Sequence, residues 1–138
     1  MAKTICKILG IAFILVGLVG FISHDFLGTH LSFMHNLVHI VSGIVALYFG
    51  FAGSLRGARL FCLVFGAVYL LLGLVGFLGP GGAHSMPDMA GANDTNLLKV
   101  IPGNLELGIM DHIVHILLGI VFLIGGLLTK ADVARVTD

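Results

Sequence analysis

A twelve-residue stretch that occurs twice decides the fold. The first copy is Met34-His35-Asn36-Leu37-Val38-His39-Ile40-Val41-Ser42-Gly43-Ile44-Val45, and the second, 76 positions later, is Met110-Asp111-His112-Ile113-Val114-His115-Ile116-Leu117-Leu118-Gly119-Ile120-Val121. Each copy places histidine inside an otherwise apolar run. An ionisable side chain within a membrane span is costly and is by default a candidate functional site. The repeat therefore marks both the architecture and the place where chemistry is expected.

Four apolar segments are long enough to cross a bilayer. Of 138 residues, 58% are hydrophobic and 10% are charged, and the mean hydropathy is +1.11, far from the values of soluble domains. A hydrocarbon core of about 30 Å needs about 20 helical residues. The segments of this length are residues 5–23, 33–53, 59–79 and 108–129. The composition predicts an all-α membrane protein, a four-transmembrane-helix bundle forming one domain over 1–138.

The first and third segments are related as well, because residues 10–21 match residues 66–77 at an offset of 56. The chain is thus predicted to be two tandem helical hairpins, repeat one at 1–55 and repeat two at 56–138, with an outer loop at 80–107. Each repeat holds two spans, so the copies are parallel and their axis runs along the membrane normal. Glycines seven residues apart in every segment predict closely packed helices.

Basic residues gather on one side of the predicted membrane. Six of the seven flank the spans at the two termini or the middle connection, namely Lys3, Lys7, Arg56, Arg59, Lys130 and Arg135. Because Lys and Arg favour the cytoplasmic side, both termini are expected in the cytoplasm. The N-terminal segment lacks a small-x-small cleavage site and is interpreted as a retained anchor. The formal net charge is zero, and no basic stripe indicates a nucleic-acid partner.

The two cysteines, Cys6 and Cys62, occupy equivalent positions at the cytoplasmic ends of the first and third spans. Their equivalence predicts that they approach one another. A reducing compartment disfavours a disulfide there, so the favoured interpretation is two small, buried packing residues.

Histidines at the outer ends of the second and fourth spans form the candidate site. Since helix neighbours lie three or four residues apart, His35 and His39 share one face, as do Asp111 and His115, with His112 beside His115. If the two helices face each other, these side chains converge at one depth, roughly 9 Å into the span by helix rise. The positive end of the helix dipole favours neutral imidazole, the form that ligates metals.

Three interpretations of this cluster stay open. In the first, His39 and His115 hydrogen-bond to each other or to backbone, while Asn36 and Asp111 act near the helix starts. In the second, the cluster binds zinc, copper or iron. The metal ligands would be His35, His39, Asp111 and His115, with His112 as a spare ligand.

The third interpretation is a cofactor site in which His39 and His115 hold haem or another tetrapyrrole. Gly43 and Gly119, one turn below each histidine, would then leave room for the macrocycle. The repetition of the spacing carries more weight than the spacing itself.

The connections offer weaker signals. In the outer loop, His84-Ser85-Met86-Pro87-Asp88-Met89 combines imidazole with thioether, a pair that can attract copper, yet an exposed, flexible connector is the favoured interpretation. His24, Asp25 and His30 are interpreted as interfacial polar residues. Residues 94–101 are predicted to form a brief helix on the membrane surface.

Motifs for hydrolysis are missing from the sequence. No serine lies in a Gly-x-Ser-x-Gly elbow, and the chain has neither a phosphate-cradling loop with lysine nor a carboxylate pair inside the predicted bundle. The sequence therefore predicts that the protein is not an enzyme.

The runs at 36–43 and 111–119 resemble a bacterial family of small four-span membrane proteins of unknown function that carries an N-x-x-H-x-x-x-G hallmark, and residues 67–76 are similar to its third span. The resemblance covers nearly the whole chain apart from 80–102. It implies a four-span fold in the bacterial plasma (inner) membrane and supplies no activity.

These patterns together predict an accessory or assembly subunit of a larger membrane complex. Its expected partners are the lipid bilayer and other membrane subunits, or further copies of the same chain. A metal- or haem-binding membrane protein is the alternative, and a small transporter ranks third.

Overall fold

The computed structural model describes residues 1–89 and 91–130. Most of these residues lie in four helices, α1 (Ala2–Gly20), α2 (Phe33–Phe51), α3 (Leu55–Phe77) and α4 (Ile109–Leu128). All four are long and apolar enough to cross a membrane. The prediction of a mostly helical, four-span protein is confirmed at this level.

Short polar side chains set where the helices begin. The Ser32 hydroxyl accepts a hydrogen bond from the His35 N–H (3.3 Å) at the start of α2, and the Ser54 hydroxyl accepts one from the Gly57 N–H (3.0 Å) at the start of α3. Such caps satisfy backbone donors that the first helical turn leaves unpaired. The Ser54 cap explains why α3 begins at Leu55, ahead of the predicted start at 59.

Within each hairpin the helices pack so closely that their backbones touch. Helix α1 lies along α2, and α3 lies along α4. A Cβ atom added to Gly43 would lie 2.7 Å from the Gly10 carbonyl oxygen, and one added to Gly119 would lie 2.9 Å from that of Gly66. Glycine is required at these contacts because any side chain would meet backbone, in agreement with the close packing predicted from glycine spacing.

Between the hairpins the core is aromatic. Phe13 of α1 stacks on Tyr69 of α3 with ring centroids 5.5 Å apart, and Phe122 of α4 lies 6.0 Å from Phe13. The Sγ atoms of Cys6 and Cys62 are 3.5 Å apart, and both thiols are buried. The prediction that these cysteines approach one another is confirmed.

A small β-structure covers the ends of α3 and α4 that lie opposite the two termini of the chain, and this end of the bundle is called the outer end below. Strands β1 (Gly82–Ala83) and β2 (Asn93–Asp94) form one antiparallel pair, and β3 (Leu98–Ile101) and β4 (Leu105–Leu107) form a second. The prediction of a surface helix over 94–101 is therefore wrong. Gly103 adopts a positive φ of 79°, and this turn folds β3 back on β4, where Leu107 is buried. The all-α prediction omitted these strands.

Candidate functional site

Three of the predicted site residues come together in the outer half of the bundle. The rings of His35 and His39 stack with centroids 4.5 Å apart, and the His115 ring lies 6.0 Å from that of His35. All three side chains are buried. Helices α2 and α4 thus bring these imidazoles to one place, as the repeat predicts; they are called the inner histidines below.

Hydrogen bonding fixes one of the three rings. The Nδ1–H of His35 donates to the carbonyl oxygen of His30 at 2.8 Å, since a carbonyl oxygen can only accept. The Nδ1 atoms of His39 and His115 are buried without a hydrogen-bond partner. Unsatisfied polar atoms inside an apolar bundle are costly, so these nitrogens call for water or an ion.

Two cavities adjoin the inner histidines, and His35 and His115 line both. The smaller, of about 120 Å³, lies against Phe13 of α1, and the larger, of about 190 Å³, lies against Tyr69 of α3. Pockets for drug-sized ligands usually have about 300 to 1,000 Å³, whereas waters or a small ion need far less. The packing therefore favours water or an ion over a tetrapyrrole.

The glycines below the histidines do not provide space for a macrocycle either. Gly43 faces the backbone of α1, and a Cβ on Gly119 would lie 2.6 Å from the Leu70 nitrogen of α3. The expected room is filled by the neighbouring helix in both hairpins. This corrects the part of the haem interpretation that assigned the space beside these glycines to the cofactor.

Asp111, a predicted ligand, is engaged with backbone. Its carboxylate accepts hydrogen bonds from the Gly108 N–H (2.9 Å) and from the His30 N–H (3.2 Å). The first of these caps α4 and the second ties the connection between α1 and α2 to the second hairpin. Asp111 also lines the smaller cavity. Because its carboxylate already accepts backbone hydrogen bonds, Asp111 holds the surrounding backbone in place.

His112, the predicted spare ligand, points away from the inner histidines. Its Nε2 lies 2.5 Å from the Asn96 carbonyl oxygen, to which the ring donates, and its ring packs where a Cβ on Gly76 would stand, 2.1 Å from Nδ1. The ring is fully buried between α3 and the β-structure. The structure thus separates His112 from the other predicted ligands.

A second polar cluster, which sequence reasoning missed, lies above the first. His30 Nε2 is 2.5 Å from Asp94 Oδ2, and His84 Nε2 is 3.7 Å from the same oxygen. The His30 and His84 rings meet edge to face with centroids 4.3 Å apart. The expectation of an exposed connector at His84 is wrong, because only 4% of this residue is exposed. These three residues are called the outer cluster.

Glu106 completes the surroundings of the outer cluster. Its buried carboxylate accepts hydrogen bonds from the backbone N–H groups of Ser85 (2.9 Å) and Gly103 (2.9 Å) and from the Ser85 hydroxyl. Burial raises the pKa of Glu106, but these hydrogen bonds and the Lys99 ammonium outweigh it and lower the pKa to about 2. Burial likewise raises the pKa of Asp94, and the hydrogen bond with His30 helps bring it below its ordinary value.

The outer cluster depends on backbone pairing between short segments of the outer loop, which no sequence pattern predicts. His84 follows β1, and its N–H donates to the Ala92 carbonyl oxygen (3.0 Å) just before β2. This pairing places Asp94 beside His84, and His30 arrives from the other hairpin. Among the described residues, one group of three histidine, cysteine or carboxylate side chains has potential ligand atoms within 4.8 Å of one another, and it consists of His30, His84 and Asp94.

Four apolar helices with buried polar groups at one end define a small multi-pass membrane protein. The chain belongs to the family described as a domain of unknown function, DUF4383, whose match covers residues 3–128. Searches of curated proteins and of solved structures found no match. The family description names no activity, so the function is argued from the site.

Proposed function

We propose that the protein is a non-enzymatic, multi-pass protein of the bacterial plasma membrane that serves as an accessory or assembly subunit of a larger membrane complex. The observation that carries the proposal is the distribution of polar and apolar side chains between the inside and the outside of the helical bundle. Polar side chains of α2 and α4, among them Asn36, His39 and His115, are buried inside the bundle, and large apolar side chains such as Leu15, Val41, Leu71 and Leu127 cover the outside. Such a surface suits lipid and the helices of other subunits.

The proposal includes a duplicated hairpin. Gly10 meets Gly43 in the first hairpin as Gly66 meets Gly119 in the second. The two cavities also correspond, because Phe13 of α1 lines the smaller one and Tyr69, at the equivalent position of α3, lines the larger one. These paired contacts support two parallel copies related by an axis between the hairpins.

Both termini are proposed to face the cytoplasm. Lys3 and Lys7 lie at the start of α1, Arg56 and Arg59 lie at the start of α3, and Lys130 follows α4, all at the same end of the bundle in an up-and-down arrangement. Arg135, which belongs to the same charge pattern, lies outside the described residues, as does the rest of repeat two from 131 to 138.

The test of the accessory role is the size and composition of the complex in native membranes. The tagged full chain, solubilised in mild detergent, is separated by native electrophoresis, and we expect one band that contains a second membrane protein in fixed proportion. As a control, membranes with the tagged chain and membranes with the untagged chain are solubilised separately and then mixed. Any complex between the two pools must have formed after lysis. A particle that contains only this chain would contradict the proposal.

A metal-binding membrane protein is the second candidate function. The specific observation that favours it is the set of inner histidines, with unpartnered ring nitrogens beside cavities large enough for an ion. Their ligand atoms do not meet within one coordination shell as packed, so binding requires the rings to turn. Metal analysis of the purified protein tests this: stoichiometric zinc, copper or iron that is lost in a His39→Gln/His115→Gln variant supports it, and metal retained by that variant contradicts it.

A further inference from the structure

We propose that the outer cluster of His30, His84 and Asp94 is a binding site for a divalent transition-metal ion, with Zn²⁺ as the best match to its ligands. The site goes beyond the accessory role. It shares no residue with the helix set of His35, His39, Asp111, His112 and His115, although His84 belongs to the loop motif that the sequence offered as a weak copper signal. It lies among the connections at the outer end of the bundle, where an ion can arrive from water.

The ligand atoms already converge. The Nε2 atoms of His30 and His84 both lie near one oxygen of Asp94, at 2.5 and 3.7 Å. Ligand bonds to Zn²⁺ of about 2.0 to 2.2 Å in a tetrahedron place neighbouring ligand atoms about 3.3 Å apart. Small rotations of the three side chains therefore make room for the ion. Two imidazoles and a carboxylate leave the fourth position to water.

His84 supplies an independent reason to expect a ligand. Its side chain has no exposed surface, yet neither ring nitrogen makes an aligned hydrogen bond. Nδ1 lies 3.2 Å from Glu106 Oε2, the arrangement in which a carboxylate orients a histidine for a metal. Nε2 is then left to face Asp94 and His30. A metal ion there would satisfy a buried nitrogen that the protein leaves unpaired.

The backbone at Gly108 lies so close to the outer cluster that it leaves no space for a side chain. A Cβ on Gly108 would lie 1.8 Å from Asp94 Oδ2 and 2.6 Å from His30 Nε2, so only glycine allows these two groups to stand together. The ligands come from different parts of the chain, His30 from the connection between α1 and α2 and the other two from the second hairpin. A bound ion would thus link the hairpins at their outer ends.

Charge at the cluster suits a divalent cation. Asp94 and Glu106 bring two carboxylates, and Lys99 contacts Glu106 at 3.8 Å between Nζ and Oε1. Without an ion, a hydrogen bond between His30 and Asp94 accounts for the 2.5 Å contact. That hydrogen bond leaves the ring nitrogens of His84 without partners, and a bound metal ion would satisfy one of them.

The experiment is a metal titration of the full chain in detergent after treatment with a chelator. Zn²⁺ binding is followed by calorimetry, and Co²⁺ is used as a coloured substitute whose visible bands report a tetrahedral site. We expect one high-affinity site that weakens on the order of 100-fold in His84→Gln and in Asp94→Asn, and 10 to 100-fold in Glu106→Gln, the usual cost of removing an orienting partner. The matched control is His24→Gln, an exposed histidine on the same side.

The inner histidines provide the second comparison. In a His39→Gln/His115→Gln variant the high-affinity site is retained if the outer cluster holds the ion and lost if the inner histidines do. Equal affinity in wild type, His84→Gln and Asp94→Asn, or no tetrahedral Co²⁺ bands in wild type, would overturn the proposal. Neither result depends on the composition of the native complex. The metal site and the accessory role can therefore be contradicted independently of each other.

A measurement on the wild-type protein tests the proposal even if the variants do not fold. X-ray absorption of the protein loaded with one equivalent of Zn²⁺ is expected to show two imidazoles and oxygen ligands. A shell without imidazole, or with three, would overturn the assignment to His30, His84 and Asp94.

Discussion

The two hairpins share their helix contacts and differ at their outer ends. In the first, the Asn36 side chain covers Gly20, and in the second, the His112 ring covers Gly76. Asn36 donates weakly to the Leu31 carbonyl oxygen at 3.4 Å, whereas His112 reaches the Asn96 carbonyl oxygen in the β-structure that the first hairpin lacks. Glycine-mediated helix packing is thus the same in both hairpins, while the polar residue over the last glycine differs with the connection beside it.

The largest expected effect comes from breaking the shared helix contacts. Gly43→Leu and Gly119→Leu each force a side chain into a neighbouring backbone, and overpacking of this kind costs about 3 kcal/mol or more. The free energy of unfolding, measured by SDS titration in micelles, should fall by similar amounts in both variants. Gly82→Leu is the control, because nothing lies within 4 Å of its Cβ position. A loss confined to one hairpin would break the comparison.

The next effect separates the hairpins. His112→Asn shortens the side chain and leaves the Asn96 carbonyl oxygen without its donor, a loss of about 1 to 3 kcal/mol. The same SDS titration measures it, and amide hydrogen exchange should rise first in 94–101. An unchanged exchange rate in that segment would show that His112 does not hold the β-structure. In His24→Asn, whose ring contacts the Leu31 carbonyl oxygen of the first connection at 3.2 Å, exchange in 94–101 should stay unchanged.

Acid should loosen the second hairpin's connection around Glu106. The folded pKa of Glu106, about 2, lies below the unfolded value of about 4.3, so its contribution to stability is complete above the unfolded value and is lost as pH falls toward the folded one. In metal-free protein we expect the unfolding temperature to drop between about pH 5 and pH 2. Glu106→Gln should show a smaller drop over this range, and an equal drop would contradict the assignment.

The smallest effect concerns the two cysteines, which meet between the hairpins at 3.5 Å. Cys6→Ala and Cys62→Ala each remove one buried sulfur and should each cost about 1 kcal/mol or less. Equal costs in thermal unfolding would sharpen the view that α1 and α3 play matching parts. A loss of several kcal/mol in one variant alone would show that the two positions differ.

Periodicity and glycine spacing were enough to predict four helices and their close pairing, because both depend on local sequence. The inner histidines His35, His39 and His115 were predictable for the same reason, since helix geometry fixes which residues share a face. The β-structure was not, because residues 98–101 become strand only by pairing with 105–107. The outer cluster requires that pairing and a contact between hairpins, and neither has a signature at fixed sequence spacing.

The seam between the hairpins is built differently from the hairpins themselves. Inside each hairpin, glycine brings backbone against backbone, but across the seam Phe13, Tyr69 and Phe122 meet through rings, with a cavity on either side. Atoms that line a cavity lack contacts on one side, so small displacements cost less at this seam than between backbones in contact. We therefore expect water or an ion to reach His35 and His115 along the boundary between the hairpins.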